Sequence, residues 1–177
     1  MGKTLLLTGH PGIGKTTIIK EVLEKLGARA GGFYTQEISG PGGRKGFELI
    51  TLDGKRTILA HKELRGRTAP RVGRYGVDVK ALDRVGVRAL RRAMEAGKVV
   101  VVDEIGRMEL FSPTFQTTVM EAILGPNVIL GTILLKPHPH ADLFKSLAPV
   151  TVWEVEERNR KRMAQQVVAW LREAGAL

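Results

Sequence analysis

The sequence predicts an α/β domain: a mainly parallel sheet covered by helices on both faces, with an antiparallel β meander inserted at about 31–61. Two observations carry this. KTLLLT (3–8), KVVVVDE (98–104) and NVILGTILL (127–135) are apolar at consecutive positions and alternate with helical stretches. Strands buried on both faces between helical layers have this pattern. By contrast, GGFYTQEI (31–38), GFELITL (46–52) and RTILAH (56–61) alternate or carry β-formers, joined by glycine-rich turns that suit antiparallel neighbours.

The elements follow in order. After the 3–8 strand, Ile18, Ile19, Val22, Leu23 and Leu26 fall at helical spacing, and Gly27 ends that helix. GPGGRKG joins the first two meander strands, and Asp53-Gly54 marks the second hairpin. A stripe of Val79, Leu82, Val85, Ala89, Leu90 and Ala93 predicts a helix over 79–96, closed by Gly97. The 98–104 strand ends in two carboxylates. Ser112-Pro113 supplies an N-cap and a first-turn proline for a helix reaching about Leu124. KPHPHADLF reads as a proline-broken connection, with His138 and His140 as loop residues. VTVWEV (150–155) is a last strand, and 157–174 an amphipathic helix carrying Met163, Val167, Trp170 and Leu171.

At 177 residues the chain suits one domain, 1–177, able to bury a substantial core. It has no cysteine, which excludes disulfides, thiolate metal sites and a cysteine nucleophile. No apolar run is long enough to span a membrane. Met1 leads straight into the first strand, so no leader is expected. A cytoplasmic monomer is the simple reading. The 28 Lys and Arg residues against 18 Asp and Glu give a formal charge of +10, an attraction for nucleic acid or polyphosphate. The basic residues are scattered and lack interleaved aromatics, which favours a solvated surface over a nucleic-acid footprint.

Gly9-His10-Pro11-Gly12-Ile13-Gly14-Lys15-Thr16 matches G-x-x-x-x-G-K-[ST] between a strand and a helix. The glycines let successive N–H groups turn inward around an anion, and the helix adds its positive dipole end. Lys15 is placed for the β- and γ-phosphates, and the Thr16 hydroxyl for Mg²⁺. Thr17 completes the phosphate contacts. His10 occupies a variable slot and has no side-chain role. The segment reads as a nucleoside triphosphate site.

VVVVDEIGR (99–107) supplies the second anchor. Asp103 at the strand tip would hold Mg²⁺ opposite Thr16, and Glu104 would orient and polarise an attacking water. The sequence between the two anchors allows a crossover, so their strands need not be neighbours. That topology belongs to the additional-strand, RecA-like branch of three-layer phosphate-loop folds. Charge on the transferring phosphoryl group calls for a cation. The candidates are Arg107, Lys136 and the loop arginines Arg65, Arg67, Arg71 and Arg74. Strand ends face the site in open α/β sheets, which favours Arg107 and Lys136, and Arg107 is taken as the catalytic one.

GHPGIGKTT, GGFYTQEI, VDEIGRMELFS and ILGTI, in this order, resemble the small phosphate-loop nucleoside-triphosphatases of thermophiles and animals, the cancer-related nucleoside-triphosphatase family. The resemblance covers nearly the whole chain, and VDEIGRMELF is its most specific piece. It implies slow hydrolysis of ATP, GTP, CTP, UTP and TTP with little base selectivity. It also implies nucleotide contacts from 9–16 and from Val100, Val101, Val102, Asp103, Glu104, Ile105, Gly106 and Arg107. Arg107 stands where the family more often has lysine. Two other readings compete. A small-molecule or nucleotide kinase would use the arginine-rich 65–76 segment as an acceptor lid. A nucleotide-switched RNA-binding module would use the positive charge.

Overall fold

The computed structural model describes residues 2–66 and 68–177. Among the described residues nine strands form one sheet: β1 (Thr4–Thr8), β2 (Ala30–Gly40), β3 (Gly43–Thr51), β4 (Arg56–His61), β5 (Arg71–Val72), β6 (Tyr75–Val77), β7 (Val99–Ile105), β8 (Ile129–Ile133) and β9 (Val150–Glu154). Their order is β5-β6-β4-β3-β2-β7-β8-β1-β9. The run from β2 to β9 is parallel throughout, and β3, β4, β6 and β5 extend it in antiparallel fashion.

Period-two alternation divides each central strand between two cores. Leu6, Val100, Val102 and Ile129 face one side, and Leu5, Leu7, Val99, Val101 and Leu130 the other. The second core is closed by α1 (Lys15–Leu26) through Ile18, Ile19 and Val22, and by α6 (Arg160–Glu173) through Met163, Val167 and Leu171. The first is closed by three further elements. These are the helical run α2 (Val79–Ala81), a π-turn Leu82–Val87 and α3 (Arg88–Glu95); α4 (Pro113–Leu124); and α5 (Pro139–Ser146). The π-turn holds buried Gly86, where a methyl group would lie 2.9 Å from Leu49 Cδ1, so a larger residue would require core side chains to shift where this run packs on β3. Among the described residues no helix is long and apolar enough to cross a membrane.

Three features depart from the sequence expectation. β2 is at once a meander strand and a member of the parallel sheet, pairing Ala30–Phe33 with Val99–Val102, so the meander continues the main sheet. KPHPHADLF contains α5: His138 Nδ1 accepts the His140 N–H at 3.2 Å, and Pro139 occupies the first turn, where no N–H is needed. Part of the arginine-rich segment forms the β5–β6 hairpin at the sheet's far edge.

Candidate active site

The turn between β1 and α1 is built by its glycines. Gly12 and Gly14 have φ of 81° and 112°, a region closed to most side chains, and Gly14 stands at the N-terminus of α1. The turn is braced by Ile13 N–H donating to His10 O at 3.1 Å, while His10 and Pro11 point to solvent. Lys15 is only 8% exposed, and its ammonium donates to Gly9 O at 2.8 Å and His10 O at 3.3 Å. The cation is thus held over the turn instead of trailing into water. Thr16 is half-buried and Thr17 exposed. A helix N-terminus faced by a fixed ammonium is suited to a phosphate chain.

Opposite stands the tip of β7. Asp103 is 1% exposed; its Oδ2 accepts from Thr16 Oγ1 at 2.8 Å and its Oδ1 from Thr132 Oγ1 at 2.6 Å. β8 lies between β1 and β7, so Thr132 on the middle strand bridges toward the acid while Thr8 Oγ1 donates to Ile133 O at 2.8 Å and ties β1 to β8. Burial pushes the Asp103 carboxyl above its ordinary range, opposed by the Thr132 and Thr16 hydroxyls and the Lys15 ammonium. Glu104, half-buried, is also raised by burial; Lys15 pulls it down and Asp103 pushes it up. The Thr16 hydroxyl and Asp103 carboxylate are hard oxygen donors side by side. They fit magnesium, which takes its remaining ligands from water and phosphate.

The other sequence candidates fall in different places. Val100, Val101 and Val102 are at most 2% exposed and belong to the two cores, so their side chains pack the sheet and have no open side toward the turn. Ile105 and Gly106 are buried, whereas Arg107 and Lys136 are exposed just beyond β7 and β8. The loop arginines are corrected by topology. Arg71 lies on β5, and Arg74 immediately precedes β6; β5 stands seven places from β1 in the sheet. At the usual strand spacing that separation is roughly 30 Å, beyond the reach of an arginine. Arg65 precedes this hairpin, and Arg67 lies outside the described residues. Arg71 and Arg74 are therefore too far away to close over the turn, which weakens the observation that favoured a kinase.

Three residues enter the site from structure alone. Thr132, in an apolar strand, reads as an ordinary β-former. Arg160 starts α6 and donates from Nη1 to Ile13 O at 3.4 Å, although its sequence neighbourhood is simply basic. Glu109, in the 3₁₀ turn Glu109–Phe111, is 5% exposed. Burial, then the nearby Glu104 and Asp103 carboxyls, push Glu109 well above the ordinary carboxylate value.

That shift has a signed consequence for stability. A carboxyl whose folded value is raised stabilises the fold fully below its unfolded value and loses that contribution as pH rises through the folded one. Glu109→Gln cannot ionise. Its melting temperature relative to wild type is therefore expected to rise between about pH 5 and pH 9, as calorimetry at the two values will show.

The union of a lysine-closed glycine turn with an acid two strands away marks a phosphate-loop α/β protein. The sequence profile of the NTPase family matches residues 4–168, and the chain belongs to that family. Nucleoside-triphosphatase THEP1 of Thermotoga sp. (strain RQ2) is 39% identical over 168 residues, spanning 95% of each chain. The Homo sapiens cancer-related nucleoside-triphosphatase is 37% identical over 182 residues, 95% of this chain and 96% of its own. The crystal structure of THEP1 from the hyperthermophile Aquifex aeolicus superposes with a TM-score of 0.87 at 34% identity, covering 95% of this chain and 98% of that one.

Proposed function

We propose that the protein hydrolyses nucleoside 5'-triphosphates to diphosphate and phosphate, slowly, with Mg²⁺ and with little selectivity among ATP, GTP, CTP, UTP and TTP. The observation that carries this reading is the 2.8 Å contact of Thr16 Oγ1 with Asp103 Oδ2, which joins the glycine turn to the acid pair. The relatives named as nucleoside-triphosphatases over nearly the whole chain support it. The interposed β8 supports assignment to the additional-strand branch of the fold. The reading takes 1–177 as one cytoplasmic domain that works as a monomer, with nucleic acid a less favoured partner than the nucleotide.

In this mechanism the N–H groups of Gly12 to Thr16 bind the phosphate chain, and Lys15 counters charge on its terminal groups. Thr16 and Asp103 would hold magnesium, which when bound neutralises phosphate charge. Glu104 orients a water and accepts its proton as the water oxygen bonds to the γ-phosphorus and the bridging P–O bond breaks. Arg107 and Lys136 are the cations at the strand ends available to the leaving charge; Arg107 is preferred. Thr132 fixes the Asp103 carboxylate. A hydrogen bond to a charged group contributes about 1.5–3 kcal/mol, so Thr132→Val is expected to lower kcat roughly tenfold or more. Steady-state phosphate release measures it.

The deciding experiment is phosphate release from the five nucleotides with magnesium and with EDTA, no acceptor being added. Comparable release from all five, abolished by EDTA, is expected. Release only on addition of a hydroxyl acceptor would overturn the reading.

A further inference from the structure

Basic residues that lie apart in the sequence are gathered by the register of the meander. Gly46 pairs with His61, and His61 with Gly76, so Lys45, Lys62 and Tyr75 form one row across β3, the end of β4 and β6. Lys62 N–H donates to Lys45 O at 2.9 Å, which extends the β3–β4 pairing into this row. Phe47, Ala60 and Val77 make the next row on the same face, where they pack in the first core. Two rings thus stand among the cations. Phe47 and Tyr75 meet edge to face at 5.5 Å, and the Arg44 guanidinium lies over the Phe47 ring at 5.3 Å.

This is an unbalanced patch. Arg44 pairs with Glu37 at 2.7 Å, but Lys45, Lys62 and Arg74 take part in none of the described ion pairs. The other acid on these elements, Glu63, is exposed. Desolvation, then the neighbouring Arg74, Lys45 and Arg44 charges, pull the Lys62 ammonium below its ordinary range. Like charges held this close repel one another, and a bound polyanion would relieve the repulsion. Tyr75 is half-buried, so part of its ring remains open beside the two lysines. Cations alone would suit any acidic partner; an open ring in the same row adds a surface on which a base can stack.

We propose that this face of the meander binds single-stranded nucleic acid, with Lys45, Lys62 and Arg74 on its phosphates and Tyr75 against a base. The site is separate from the glycine turn. β2 runs on from Phe33, the partner of Val102, to Gly40, which carries the row roughly 20 Å from the Asp103 tip. Strand and nucleotide can therefore be bound together, and the proposal stands apart from the reading of the hydrolytic residues.

The test is fluorescence anisotropy of the full chain with a labelled oligouridylate about 12 nucleotides long, over a series of salt concentrations. Wild type is expected to bind it and to release it as salt rises. Lys45→Ala/Lys62→Ala should lower affinity about tenfold and flatten the slope of log K against log salt by about 1.4. Tyr75→Leu should lower affinity at least about fivefold with the slope unchanged. Lys25→Ala/Arg172→Ala removes the same charge from exposed positions on α1 and α6, across the sheet, and should change neither affinity nor slope. Phosphate release from ATP should stay at the wild-type rate in all of them. No binding by wild type, unchanged affinity in Lys45→Ala/Lys62→Ala, or an equal loss in Lys25→Ala/Arg172→Ala would overturn the proposal. Polyglutamate bound as tightly as the oligouridylate, or wild-type affinity in Tyr75→Leu, would assign the face to an acidic protein and overturn the choice of nucleic acid. If Tyr75→Leu does not fold, Tyr75→Phe against wild type and the lysine variants carry the test, with phenylalanine expected to keep the affinity.

Discussion

Lys15→Ala is expected to weaken triphosphate binding about 10²–10³-fold and to reduce turnover with it. The wild-type ammonium is already fixed, donating to Gly9 O and His10 O at 2.8 and 3.3 Å, so little freedom remains to be lost when phosphate arrives. Truncation removes those two bonds together with the charge facing the phosphates. Charge-assisted hydrogen bonds contribute about 1.5–3 kcal/mol each, and losing two to phosphate accounts for ~3–4 kcal/mol even after partial replacement by water. It also removes the cation that lowers the Asp103 and Glu104 carboxyls. Calorimetric titration with a non-hydrolysable analogue checks the affinity. Near-normal affinity in the variant would remove Lys15 from the site.

The second large effect separates binding from chemistry. Glu104→Gln keeps the shape and polarity of the side chain but cannot take a proton from water. Analogue affinity should stay within a few-fold of wild type, while kcat falls about 10²–10³-fold, equivalent to ~3–4 kcal/mol of barrier. Single-turnover phosphate release isolates the chemical step. An unchanged rate would mean that water is oriented by another group.

Much of this site was legible in the sequence because it depends on backbone shapes and strand ends that few residues can supply. Gly12 and Gly14 occupy conformations that demand glycine, and Lys15 follows at the helix start. Asp103 and Glu104 end a run of valines, so a buried strand delivers them to the sheet edge. Thr132 escaped because a threonine in an apolar strand fits the strand for its own sake; only the order β7-β8-β1 puts its hydroxyl beside Asp103. Strand order depends on contacts distant in sequence, which local periodicity does not encode.

Glu109 escaped for another reason. In Met108-Glu109-Leu110 a glutamate beside apolar residues resembles the solvent face of a helix start, and only the tight turn over Gly106 carries it inward. The arginines of 65–76 carry charge suited to phosphate, but electrostatics without topology has no distance scale; the β5–β6 hairpin places Arg71 and Arg74 on the remote edge. Pro137 and Pro139 masked α5 because a proline breaks a helix interior yet suits its first turn.

The most direct measurement is a crystal structure with magnesium and a non-hydrolysable ATP analogue. The triphosphate should run along the 9–17 turn, with its terminal phosphoryl group beside Lys15 and facing Glu104. An analogue bound elsewhere on the sheet, with that turn free of phosphate, would contradict the account.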